Sequence, residues 1–199
     1  MKKESRGRLL SREERVMRIF EQLTVVEDRH TILTHGRHSL KYVEKTKFLT
    51  EREAVDELCS MLADDFRDDQ IDFVIGPVAG GILLADSASK HLSNNSGRKV
   101  LGIWADKDGK NFKIRPAFKS KIKDSRVLVV EDIFTTGESL ERVVEAVREA
   151  QGNVIGVGVI CNRGEADLSS LGVGKISTLV TLNIPSYSEE ECPARNLHS

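Results

Sequence analysis

Two patterns of apolar residues divide this chain. In the first sixty residues they recur every three or four positions, whereas beyond residue 70 they gather into short unbroken runs. Ser11 and Glu14 have the spacing of a capping box, and Val16, Ile19, Phe20 and Leu23 follow on one helical face. That spacing predicts a helix over about residues 12–23. The segment "RHTILTHGRHSLKYV" reads as two short strands with a turn at Gly36. Thr50 and Glu53 repeat the capping signal, and Ala54, Leu58, Met61 and Leu62 make the apolar face of a second helix. Then come the runs "IDFVIG" (71–76), "KVLGIWA" (99–105), "RVLVVE" (126–131), "NVIGVGVICN" (153–162) and "STLVTL" (177–182). Helical stretches separate some of them: "ILLADSASKHL", and the face Leu140, Val143, Val144 and Val147. Near-continuous apolar strands alternating with helices predict an α/β fold, a mostly parallel sheet covered on both faces. The core is expected over about residues 50–182. The segments 12–49 and 183–199 are expected to pack on it as a small accessory lobe.

Composition narrows the setting. A chain of 199 residues suits one domain. No apolar run approaches the roughly 18 residues that span a membrane. The basic start "MKKESRGRLLSREER" lacks the apolar centre of a secretory signal, so a cytoplasmic protein with no membrane partner is expected. Cys59, Cys161 and Cys192 are scattered and form no CxxC pair, which argues against a disulfide framework and a structural zinc. A net charge of −1 gives no support to a nucleic-acid partner, while leaving room for a local positive site and a small phosphorylated ligand.

Candidate chemistry sits at two strand ends, where open α/β sheets bind their ligands. One strand runs into Gly76-Pro77-Val78-Ala79-Gly80-Gly81. Another runs into Glu131 and Asp132, followed by Thr135, Thr136, Gly137, Glu138 and Ser139 at the start of a helix. Hydroxyls and backbone N–H groups at a helix N-terminus suit a phosphate monoester, and Gly137 lets the backbone come close. The two carboxylates repel a phosphate, so they should face something else. Adjacent ribose hydroxyls are good partners, and the acids also favour positive charge developing on the sugar ring. The motif therefore predicts a ligand with a 5′-phosphate in the turn and a ribose over the acids.

The stretch "VLVVEDIFTTGESL" resembles the phosphoribosyl diphosphate signature of type I phosphoribosyltransferases, and "DFVIGPVAGG" resembles the diphosphate loop of that family. "ILTHGRHSLKY", "ADKDG", "VICNRGEA" and "LNIPSYSEEECPA" are similar to segments of its orotate branch, so the resemblance covers about residues 28–194. It implies the type I phosphoribosyltransferase fold with a hood over the base. The implied reaction is transfer of a phosphoribosyl group from 5-phosphoribosyl 1-diphosphate (PRPP) to a nitrogenous base, most like orotate, with release of diphosphate. Carried onto this sequence, Glu131, Asp132 and Lys107 take the catalytic roles. Thr135 to Ser139 hold the 5′-phosphate, and Val78, Ala79, Gly80 and Lys107 take the diphosphate. Arg163, with Thr135 and Tyr42, meets the base. Mg²⁺ is implied as a cofactor held mainly by PRPP and water, with no protein cage. His30, His35 and His38 are expected on hood strands and turns rather than around a metal. A homodimer is implied, with Lys107 completing the neighbouring subunit's site.

Two departures stand out. The segment "ADKDGKNFKIRPAFKSK" lacks the histidine and Gly-Gly typical of the orotate enzymes' flexible loop, though Lys107, Lys110, Lys113 and Arg115 keep it basic. Thr34 stands where those enzymes often carry a cation, leaving Arg37, His35 or His38 as substitutes. Two other readings use the same fold: a PRPP- or nucleotide-sensing regulator, and a transferase for a purine base. Residues 1–25 give room for one helix, too little for a helix-turn-helix. Neither a P-loop pattern nor a G-x-G-x-x-G fingerprint is present.

Overall fold

The computed structural model describes residues 10–33, 36–164 and 167–194. The chain begins with helix α1 (Arg12–Gln22), the antiparallel hairpin β1 (Val26–Ile32) and β2 (His38–Val43), the short helix α2 (Thr46–Leu49) and helix α3 (Arg52–Asp65). There follow β3 (Phe73–Pro77), α4 (Gly80–Ser96), β4 (Leu101–Asp108), β5 (Asn111–Lys113), α5 (Pro116–Ile122), β6 (Arg126–Phe134), α6 (Glu138–Glu149), β7 (Asn153–Asn162) and β8 (Ile176–Thr181). A 3-10 turn at Leu168–Leu171 precedes β8.

Six strands form one sheet in the order β5-β4-β3-β6-β7-β8. All pairs are parallel except β4–β5, a hairpin at the edge. The α/β prediction therefore holds. Alternation along β6 shows why its apolar run is unbroken. Leu128 and Val130 enter the layer packed by α1, α3 and α4, whereas Val127 and Val129 enter the layer packed by α5 and α6. Both faces are buried, so there is no polar side to show. β4 leaves β3 in one direction and β6 lies on the other side of it. The C-terminal ends of β3 and β6 thus flank the point where the strand order turns, the crevice in which such sheets place ligands.

The capping box of α1 forms as predicted. Glu14 N donates to Ser11 Oγ (3.2 Å), and Ser11 N donates to Glu14 Oε2 (2.7 Å). The helix buries Val16, Ile19 and Phe20, and a two-pronged Arg12–Asp65 pair (both 2.6 Å) fixes it to the end of α3. The second predicted box does not form. Glu51 is the N-cap of α3 without a side-chain bond, and the Thr50 hydroxyl instead donates to Thr46 O (2.7 Å), because Thr50 closes α2. β6 also runs three residues past the predicted strand end, since Ile133 and Phe134 continue to pair with Cys161 and Asn162 of β7. Glu131 and Asp132 are therefore strand residues.

The hairpin β1–β2 forms a separate two-stranded sheet. His38 and Tyr187 exchange two backbone hydrogen bonds (2.9 and 2.8 Å), so the C-terminal tail lies along β2. Among the described residues, no helix is long and apolar enough to cross a membrane.

Candidate active site at the strand crossover

The turn after β3 meets the end of β6 in direct contact. The backbone hydrogen bonds of β6 hold Glu131 and Asp132 at the sheet's C-terminal end, and both are buried. Asp132 Oδ1 accepts from Ile133 N (2.7 Å) and from Lys45 Nζ (3.1 Å), and the same ammonium lies 3.0 Å from Oδ2. A Cβ added at Gly80 would stand 1.9 Å from Asp132 Oδ2. Glycine at that position is what lets the first turn of α4 approach the acid. The loop after β3 includes a cis peptide between Val78 and Ala79.

Electrostatics make the acid pair asymmetric. Burial, then the neighbouring Asp132 charge, push Glu131 up to about 8, against an opposing pull from Lys45. Burial depresses Lys45, but attraction to Asp132, the hydrogen bond to it and the charge of Glu131 outweigh that effect and raise it. One acid is thus held by a lysine and the other favours its proton.

Beyond the acids, Gly137 has φ +87°, and a Cβ there would meet the Phe134 ring at 2.8 Å, so glycine is required on two counts. It caps α6, whose first N–H groups lie without intrahelical partners. Thr135, Thr136, Gly137, Glu138 and Ser139 line a concavity of about 190 Å³ there, with Glu131 at its edge. The Glu138 carboxylate pairs with Arg142, which leaves its backbone N–H as what it offers to an anion.

A larger cavity of about 460 Å³ adjoins this concavity. Glu131, Asp132, Lys45, Thr135 and Ser139 line one part, and Thr31, Ile32, Leu33, Tyr42 and Arg163 line another. Glu131, Thr135 and Ser139 border both spaces, so a ligand can run from the anion turn, over the acids, toward the hairpin. Arg163 is buried, and its Nη2 donates to Ser39 Oγ (3.1 Å). Ser39 also lies within hydrogen-bonding distance of Lys41 O (2.9 Å) and Pro185 O (3.2 Å). It thereby joins β2, the tail and Arg163. Arg29 covers the Tyr42 ring at 4.2 Å.

Most residues singled out from the sequence gather here: Glu131, Asp132, the 135–139 turn, Gly80, Tyr42 and Arg163. Lys107 does not. It is exposed on β4, opposite Phe112 of β5, and lines neither space. Its neighbours are engaged within the same hairpin, Arg115 with Asp106 and Lys113 with Asp108. Of the three substitutes for the missing cation, Arg37 binds Ser186 through its side-chain hydroxyl and carbonyl (2.7 and 2.6 Å), and His38 is buried against His30. Thr34 and His35 lie outside the described residues. Besides Arg163, Lys45 brings a positive charge into the cavity, against Asp132, and sequence reasoning missed it. Lys41, Lys45 and Lys47 stand in a row, and nothing in their spacing selects the middle one. Ser39 was missed as well, since only the fold brings Arg163 to it.

A family profile described as the phosphoribosyl transferase domain matches residues 46–177. An orotate phosphoribosyltransferase from Caldanaerobacter subterraneus subsp. tengcongensis is 37% identical over 180 residues, 90% of each chain. Another, from Caldicellulosiruptor saccharolyticus, is 34% identical over 181 residues, again 90% of each chain. Among solved structures, the orotate phosphoribosyltransferase of Aeropyrum pernix superposes with a TM-score of 0.68 over 84% of this chain and 93% of its own, at 24% identity, a likeness of fold.

Proposed function

The chain belongs to the phosphoribosyl transferase domain family, and from that premise we propose that it transfers the phosphoribosyl group of PRPP to orotate, with release of diphosphate. The observation that carries this reading is the pair of adjoining spaces, one ringed by the 135–139 turn at the N-terminus of α6 and the other lined by two acids and a buried arginine. In the proposed complex the 5′-phosphate takes the N–H and hydroxyl groups of Thr135 to Ser139. The ribose hydroxyls bond to Glu131 and Asp132, displacing Lys45 from Asp132. Val78, Ala79 and Gly80, at the N-terminus of α4, face the diphosphate. Arg163, held by Ser39, offers its guanidinium to the anionic base beside Tyr42 and Thr135. The hairpin β1–β2, which lines the cavity, and the tail tied to β2 at His38–Tyr187 make the hood.

During transfer the bond between the anomeric carbon and the diphosphate oxygen breaks, and its electron pair leaves with diphosphate. The base nitrogen forms the new bond and its proton passes to water. The anomeric carbon becomes cation-like as the leaving group departs, and negative charge held beneath the ring stabilises it. Mg²⁺ would be held mainly by PRPP and water, and Glu131 and Asp132, as hard oxygen donors lining the cavity, suit its neighbourhood. Bound there, Mg²⁺ supplies charge neutralisation on the diphosphate. Lys107, exposed and lining neither space of its own chain, is proposed to complete the site of a second copy in a homodimer.

Diphosphate release from PRPP with orotate, uracil, hypoxanthine, guanine, xanthine and adenine tests the reading. Release with orotate alone is expected. Release with a purine overturns the base assignment. PRPP binding without release for any base favours a sensor.

A further inference from the structure

The hairpin and tail carry a side-chain cluster that phosphoribosyl transfer does not use. His30 Nε2 lies 3.0 Å from His38 Nδ1 and 3.3 Å from Cys192 Sγ, and the three atoms all fall within 4.8 Å of one another. His38 and Cys192 are 6% and 2% exposed, and His30 is half-buried. Three separate segments supply them: β1, β2 and the tail.

The backbone accounts for the convergence. Asp28 pairs with Lys41 and Thr31 with Ser39, so Arg29 and His30 together stand opposite the single residue Leu40. This is a β-bulge, which re-aims a side chain. It turns His30 toward His38, whose direct partner across the hairpin is Ile32. On the other side of β2, the His38–Tyr187 backbone bonds anchor the tail. The Ser188–Glu191 turn, closed by Glu191 N to Ser188 Oγ (3.2 Å), then brings Cys192 back to the histidines.

We propose that His30, His38 and Cys192 bind a divalent ion of the zinc class, tying the tail to the hairpin. Around tetrahedral zinc, two imidazole nitrogens stand about 3.3 Å apart and a nitrogen and a thiolate sulfur about 3.6 Å apart. The observed 3.0 and 3.3 Å are those edges drawn in by about 0.3 Å. Two imidazoles and a thiolate select a borderline or soft ion over Mg²⁺, and this chemistry separates the site from the carboxylate cavity. The ion takes Cys192 as thiolate, the thiol proton passing to solvent, with both histidines neutral and water in the fourth position. Ser39, the partner of Arg163, follows His38 directly in β2, so occupancy bears on the base end of the cavity.

The full chain, purified free of metal, is titrated with Co²⁺ while thiolate-to-cobalt absorption in the near ultraviolet and the visible tetrahedral bands are followed. One equivalent should saturate both, and Zn²⁺ should displace it. Cys192→Ser should abolish the near-ultraviolet band, while Cys59→Ala leaves it intact. His30→Ala, at a half-buried position, should weaken binding at least tenfold and serves if Cys192→Ser does not fold. Zn²⁺ at a hundredfold excess over its Kd should raise the wild-type Tm by about 5–10 °C and leave Cys192→Ser unmoved. A wild-type chain without the thiolate band overturns the proposal. So does a band that survives in Cys192→Ser, or a Tm rise of equal size in that variant, which places the metal at other groups.

Discussion

The two ends of the cavity are held in place by different forces. The acids and the 135–139 turn stand on β6, a central strand whose Val127 to Val130 are all fully buried between two helical layers. Its position is fixed by close packing, which tolerates little displacement. The opposite end rests on a two-stranded sheet and a tail joined by polar ties, namely the His38–Tyr187 bonds, the grip of Arg37 on Ser186 and the contacts of Ser39. Two-stranded sheets are marginal alone and depend on such partners. The lesson is that the proposed ribose and phosphate end should respond to changes of a single atom, whereas the proposed base end should respond to changes in hydrogen bonding.

The largest effect is expected from Asp132→Asn, which keeps shape and removes charge. Turnover should fall about 10²–10³-fold with the circular dichroism spectrum unchanged. Unchanged turnover removes Asp132 from the reaction. Gly80→Ala should follow, with a loss of about 10–100-fold in kcat/KM for PRPP, because the new Cβ meets Asp132 Oδ2 at 1.9 Å. A variant with native kinetics breaks the claim that the two loops are mechanically coupled.

The third prediction concerns stability. Burial, then the Asp132 charge, push the Glu131 carboxyl of the folded chain up from its ordinary 4.5 to about 8. As pH rises between those values the unfolded chain gives up the proton first, so wild-type stability falls through that window. Glu131→Gln lacks this fall. Relative to wild type it should gain stability steadily between pH 5 and pH 8, read as a widening gap in Tm. A gap that stays constant shows that burial is not what raises this acid.

The smallest effect is expected from Ser39→Ala, which leaves the buried Arg163 guanidinium without one partner. The KM for the base should rise about five- to tenfold while that for PRPP stays put. Equal rises in both dissolve the distinction between the two ends.

Much of this arrangement was legible from local pattern. The first helix, the parallel strands and the acid-hydroxyl-glycine motif depend on neighbours in sequence, and they formed where spacing placed them. Thr50 misled because a threonine hydroxyl serves a cap or the preceding turn equally well, and α2 took it. The extension of β6 through Phe134 depends on the ladder with β7, which the strand's own residues do not reveal. Lys45 and Ser39 were hidden for the same reason, since their partners Asp132 and Arg163 are 87 and 124 positions away.

That separation has a consequence for how the protein is made. Ser39 touches Arg163 and the Pro185 carbonyl, the latter 146 positions further along the chain. A growing chain can fold its early helices while still attached to the ribosome, yet the wall that holds Arg163 cannot close until Pro185 has emerged. Chains cut short before Pro185 should therefore lack this tie and bind the base more weakly, as Ser39→Ala should.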